Sequence, residues 1–206
     1  MSEFFIPNLG IVQTGQPFRL ADGRQFNGEW LAGASAEDRA AIGAVPVNRA
    51  ARPAVDERYY TVAEQWDGAN ITYEVMARPL ADILQRRLAD LAAKRYAVET
   101  AGILLGDAVI RTDEGSQSKI NGAYALVQRL PETLVDWKGA NGWTQLNAAQ
   151  MTAIATAAGQ HVQACYTAER GHAEALEAFA SQDPPDIEGL IAHDIEAGWP
   201  ETAPSA

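Results

Sequence analysis

The sequence predicts an α+β fold: a small β-rich N-terminal module, a connecting helix, then a C-terminal domain ordered helix, hairpin, helix, hairpin, long helix. Three observations lead there. Up to about residue 76 the apolar residues come in short aromatic and β-branched runs broken by glycine turns, as in 59-YYTVAEQWDGANITYEV-75. After Pro79 they recur at helical spacing, at Leu80, Ile83, Leu84, Leu88 and Leu91. From Asn147 one apolar face continues through Met151, Ile154, Ala158, Val162 and Cys165 to Leu176 and Phe179. The expected divisions are a docking module over 1–76, a connecting helix over 77–97, the helix–hairpin domain over 98–200 and a loose tail over 201–206.

In the first part, Phe18-Arg19-Leu20 and Arg24-Gln25-Phe26 flank Ala21-Asp22-Gly23, a hairpin signal because glycine tolerates positive φ. Ser35 reads as the cap of a short helix through Ala41, stopped by Gly43 and Pro46. Pro46 to Pro53 reads as extended. Tyr59 to Val62 and Ile71 to Val75 read as a second hairpin around Trp66-Asp67-Gly68-Ala69-Asn70.

Pro79 suits the first turn of the connecting helix, and the cations toward its C-terminal end, Lys94 and Arg95, suit its dipole. Ile103-Leu104-Leu105 and Ala108-Val109-Ile110 then form a hairpin around Gly106-Asp107. Thr112 or Asp113 caps a helix with Ile120, Ala123, Tyr124 and Val127 on one face, and Pro131 ends it. Val135-Asp136-Trp137 and Trp143-Thr144-Gln145-Leu146 form a third hairpin, with Asn141-Gly142 as its tight turn. Asn147 with Gln150 matches a capping box for the long helix, in which Gly159 and Gly171 each cost about 1 kcal/mol relative to alanine. Asp183-Pro184-Pro185 breaks that helix, and a last one over about 186–197 ends at Gly198 and Pro200.

The totals exclude several roles. The 206 residues are 47% apolar and carry a net charge of −11. Nucleic-acid binding needs clustered lysines and arginines, and an anionic membrane surface would repel this chain. One cysteine, Cys165, permits no internal disulfide. The start, MSEFFIPNLG, lacks the basic flank of a secretory signal, and no apolar run reaches the ~18 residues of a membrane span.

Chemistry has few footholds. His161, Cys165, Glu169 and His172 fall near one stripe of the long helix, but one straight helix cannot wrap its own side chains around an ion. Cys165 has His161 one turn away, yet its alanine and valine surroundings read as packing. No phosphate loop, nucleophile elbow or zinc-protease motif occurs. No enzymatic activity, catalytic residue, cofactor or metal is therefore expected. Five tryptophans, Trp30, Trp66, Trp137, Trp143 and Trp199, offer aromatic faces for a glycan, against the plainer use of covering sheet and helix seams.

The runs 94-KRYAVETAGILLGDAVIRTDEGSQSKINGA-123, 136-DWKGANGW-143, 147-NAAQMTAIATAAGQHVQACY-166 and 194-DIEAGWP-200 stand in an order that resembles an uncharacterised C-terminal domain of tailed-bacteriophage tail, tail-fibre and tail-fibre-assembly proteins. The residues that carry the resemblance are Lys94-Arg95-Tyr96, Glu99 with Gly102-Ile103, Thr112-Asp113 with Ser116-Gln117, Trp137-Lys138 with Gly142, and His161-Val162-Gln163-Ala164. It covers about residues 85–200. More weakly, Pro46-Val47 to Asp56 resembles short phage tail segments. The resemblance implies a structural tail component, such as a fibre, baseplate or tail-tip protein, made in the host cytoplasm and located in the virion. Its partners would be other tail or fibre proteins and copies of itself, with a trimer favoured. A tail-fibre assembly chaperone and a receptor- or glycan-binding tail protein are the alternatives. The candidate interface or packing residues are Leu84, Leu88, Leu91, Trp137, Trp143, Ile154, Val162 and Tyr166.

Overall fold

A computed structural model describes residues 2–139 and 142–204. The chain forms an α+β structure in two compact units, residues 1–78 and 79–206.

The first unit opens with a hairpin, β1 (Glu3–Ile6) and β2 (Gly10–Gln13), followed by a short ribbon, β3 (Phe18–Arg19) with β4 (Gln25–Phe26). Two short helices follow, α1 (Trp30–Gly33) and α2 (Ala36–Ala41). β5 (Val45–Pro46) adds to β1, giving the sheet order β2-β1-β5. β6 (Asn48–Arg49) runs parallel to β8 (Asn70–Ala77), which pairs antiparallel with β7 (Tyr60–Asp67). Ser35 caps α2 as expected, and the cap is reciprocal: the Ser35 hydroxyl accepts from the Asp38 N–H, and the Asp38 carboxylate accepts from the Ser35 N–H.

Phe4, Ile6, Val12, Phe18, Leu31 and Ala44 form this unit's core. Phe26 stacks on Phe18 at 4.8 Å between ring centres, and Trp30 leans on Phe26 at 4.5 Å. Gly28 is required by a close approach, because a Cβ there would lie 2.3 Å from the Gly15 carbonyl oxygen.

The second unit begins with α3 (Leu80–Thr100), a ribbon of β9 (Ile103–Leu105) and β10 (Ala108–Ile110), and α4 (Glu114–Arg129). A second ribbon, β11 (Val135–Gly139) with β12 (Gly142–Leu146), leads into the long α5 (Ala148–Ala180), and α6 (Ile187–Ala192) follows. The expected tight turn at Asn141 lies outside the described residues. Both cap expectations hold: Asp113 accepts from the Ser116 N–H, and Asn147 and Gln150 form a reciprocal capping box.

Ile103, Ile110, Ile120, Val127, Leu146, Met151, Ile154 and Ala158 form the core of this unit, so both ribbons and α4 close over the first half of α5. α3 lies antiparallel along α5: the Val98 carbonyl meets His161, whereas Arg95, earlier in α3, meets Glu169, later in α5. α6 packs against both.

Three expectations change. The helix read as a connector between the halves is a core element of the second unit, with Ile83 and Leu91 buried. The last helix stops at Ala192, because the His193 carbonyl turns aside to accept from the Arg87 guanidinium. The tail is not loose throughout: Ala203 is buried and its N–H donates to the Gly102 carbonyl at 2.8 Å. That bond satisfies a carbonyl left over where α3 turns into β9.

Candidate functional site

Two places gather the residues that the sequence singles out. The first is the junction of α3, β10, α4 and α5. Here Thr112 is fully buried; its hydroxyl donates to the Glu99 carbonyl and accepts the Gly102 N–H at 3.0 Å. The Gln117 amide donates to the Glu99 carboxylate at 3.1 Å and to the Thr112 carbonyl at 2.7 Å. Arg95 donates to the same Glu99 carboxylate and stands 3.3 Å from Glu169. Its charged state is favoured: burial works against it, but the Glu99 hydrogen bond, with Tyr166, Glu99 and Glu169 nearby, outweighs that. The Arg95 guanidinium also sits over the Tyr166 ring at 4.8 Å.

The network explains why polar residues recur at these spacings. Where α3 ends and α4 begins, orphan backbone groups are buried, and each needs a partner. Glu99, Thr112 and Gln117 are spent on that task, so they fasten elements together and leave little for a ligand.

The metal stripe on the long helix disperses. His161 donates its Nε2–H to the Val98 carbonyl at 3.1 Å, and the Cys165 sulfur lies 3.7 Å from that nitrogen. Glu169 faces Arg95. His172 is taken up by the segment after α6, where its Nε2 donates to the Ala197 carbonyl at 2.9 Å. Its Nδ1 must then accept from Nε2–H of His193, also at 2.9 Å. Trp199 stacks on His172 and donates to the Ile195 carbonyl. Burial, reinforced by the Glu99 charge and opposed by Arg95, pushes the Cys165 thiol up to about 11, which disfavours the thiolate. Among the described residues, no group of three or more His, Cys, Asp or Glu side chains could hold a metal ion, and no helix is long and apolar enough to cross a membrane.

The second place is a cleft of about 810 Å³ beside the β11–β12 ribbon. One wall is β10 with Arg111; the other is the ribbon with Trp137, Lys138 and Trp143, and Ser116 and Lys119 of α4 also line it. Trp137 is half-buried against the core, whereas Trp143 is 73% exposed with the Lys138 ammonium 5.8 Å from its ring centre. Three lining cations, Arg111, Lys119 and Lys138, face one lining carboxylate, Asp136, in a chain of net charge −11.

The expected interface or packing residues divide accordingly. Leu91 and Ile154 are buried in the second unit; Leu84, Leu88, Trp137 and Val162 are half-buried; Trp143 and Tyr166 are exposed. α3 and α5, which carry Leu84, Leu88, Leu91, Ile154, Val162 and Tyr166, pack against each other within the chain. The cleft's cations carry no signal in the sequence, where Arg111, Lys119 and Lys138 stand isolated; the ribbons and α4 bring them together. The pairing of His172 with His193, 21 residues apart, has no local signal either.

Residues 82–196 match the model of a family described as Domain of unknown function (DUF4376), a span from the first turn of α3 to just past α6. No curated protein and no solved structure matches the chain.

Proposed function

The chain belongs to the DUF4376 family, and from that premise we propose that it is a structural component of a bacteriophage tail, a fibre, baseplate or tail-tip protein acting through protein–protein contacts. The observation that carries this reading is how the motif residues resembling phage tail proteins are used. Arg95, Glu99, Thr112 and Gln117 hydrogen-bond one another or the backbone beside them. Side chains spent this way build a rigid scaffold and leave contact surfaces to do the work. Large apolar side chains are exposed around the scaffold, notably Leu126, Leu130, Leu134 and Trp143, and exposed apolar groups of this kind favour association. The expected partners remain other tail proteins, together with further copies of the chain.

The test is mass spectrometry of purified virions from the phage that encodes the chain. Stoichiometric presence is the expected result. Abundance in infected cells with absence from virions overturns the structural role in favour of an assembly chaperone, a reading that the acidic net charge also suits. Light scattering after size-exclusion chromatography measures the oligomeric state directly.

A further inference from the structure

We propose that the cleft between β10 and the β11–β12 ribbon takes an extended, acidic peptide segment of a partner protein, which adds as a strand to the free edge of β10. The inference deepens the reading of the chain as a protein–protein contact component and rests on it.

Backbone geometry supplies the first argument. Gly106 and Asp107 form a two-residue turn, with Gly106 at φ +60°, and Leu105 faces Ala108 across its base. In such a hairpin the closing pair exchanges both hydrogen bonds, and bonded and non-bonded pairs alternate beyond it. The next pair is Leu104 with Val109, so the Val109 N–H and C=O point away from β9. Among the described residues, no backbone hydrogen bond beyond the β9 ladder reaches β10. Ala108, Val109, Ile110 and Arg111 all line the cleft, whereas Leu104 and Leu105 do not, so the cleft opens on the side of the free edge. An unpaired edge of this kind is a template for strand addition.

Charge supplies the second argument and selects the occupant. Arg111, Lys119 and Lys138 outnumber Asp136 around the cleft, while the chain as a whole is strongly acidic. Carboxylates on an incoming strand meet these cations, and the chain's general negative charge repels them elsewhere, which favours this site over the rest of the surface. Trp143, 73% exposed, provides the apolar face that covers the segment.

The experiment titrates the full-length chain with a soluble capped peptide of alternating Thr and Glu, followed by tryptophan emission and by hydrogen exchange at the Val109 amide. Binding with protection of Val109 is expected. Replacing Glu by Lys in the peptide, or methylating its backbone nitrogens, weakens binding by at least about tenfold. Arg111→Glu and Lys119→Glu do the same to the protein, with circular dichroism reporting that each variant folds. The proposal is overturned if the peptide does not bind, if the methylated or Lys peptide binds equally well, or if polygalacturonate binds where the peptide does not. A chain that is present in virions yet binds no peptide sinks the cleft alone. A chain that binds the peptide yet is absent from virions sinks the tail reading alone.

Discussion

The hydroxyl of Thr112 donates to the backbone carbonyl of Glu99, joining the segment before α4 to the last turn of α3. The same oxygen receives the Gly102 N–H at 3.0 Å, so one buried group satisfies both sides of the α3-to-β9 corner. Thr112→Val keeps the shape and strands these backbone groups away from water. We expect a loss of about 1–3 kcal/mol in urea unfolding. Thr167→Val, which removes an exposed hydroxyl bonded to the Gln163 carbonyl, is the control and changes stability by less than about 0.5 kcal/mol. Equal effects of the two variants would remove the corner's special role.

Gly28 and Gly33 test the packing of the first unit. A Cβ on Gly28 collides with the Gly15 carbonyl, whereas one on Gly33 meets open space. Gly28→Ala therefore costs about 1–3 kcal/mol through backbone displacement, and Gly33→Ala is close to neutral. Thermal melts of both variants measure the difference.

The His172–His193 pair makes stability depend on pH. Burial, then the neighbouring His172 and Arg87, lower the His193 pKa below its ordinary value of 6.5; Asp194 acts in the opposite direction. Neutral His193 is thus the form that the fold prefers, and the unfolded chain binds a proton that the folded one resists. This contribution is fully present above the unfolded pKa and is lost as pH falls through the depressed folded value. The expected result is a lower urea midpoint at about pH 5 than at about pH 8. In His193→Asn the difference shrinks. Asp22 and Asp113, held below the ordinary carboxylate value by hydrogen bonds from Arg24 and Ser116, stay ionised throughout that range and do not mask the effect.

Cys165 reports on opening of the α3–α5 seam. Its side chain is fully buried and its thiol is pushed up to about 11. Labelling with a thiol reagent near neutral pH therefore proceeds only through opening or unfolding of the second unit, and its rate rises with urea. Rapid labelling of the folded chain would contradict this placement.

Local order was legible from the sequence because the signals for it are local. Ser35 with Asp38 and Asn147 with Gln150 cap their helices within one turn. The hairpin over 60–77 follows from strand-forming residues on each side of Gly68. The N-terminal hairpin carries no such signal: β1 and β2 are short, and the chain turns between them with positive φ at Asn8 and at Gly10, the first residue of β2, without a clear two-residue signature. The helical stripe at Leu80 to Leu91 was legible as apolar, but periodicity says that a face is buried and not against what.

The sequence by itself determined the α+β class, the order of the helices and hairpins from Tyr60 onward and the caps at Ser35, Asp113 and Asn147, because each depends on residues within a turn or two of one another. Only the tertiary structure decided that α3 and α5 pack against each other, that Glu99, Thr112 and Gln117 form one network, that His172 meets His193, and that Arg111, Lys119 and Lys138 surround one cleft. Those arrangements join residues far apart in the chain. They depend on which buried groups find partners once the helices and ribbons have closed around a shared core, and no local pattern of residues encodes that choice.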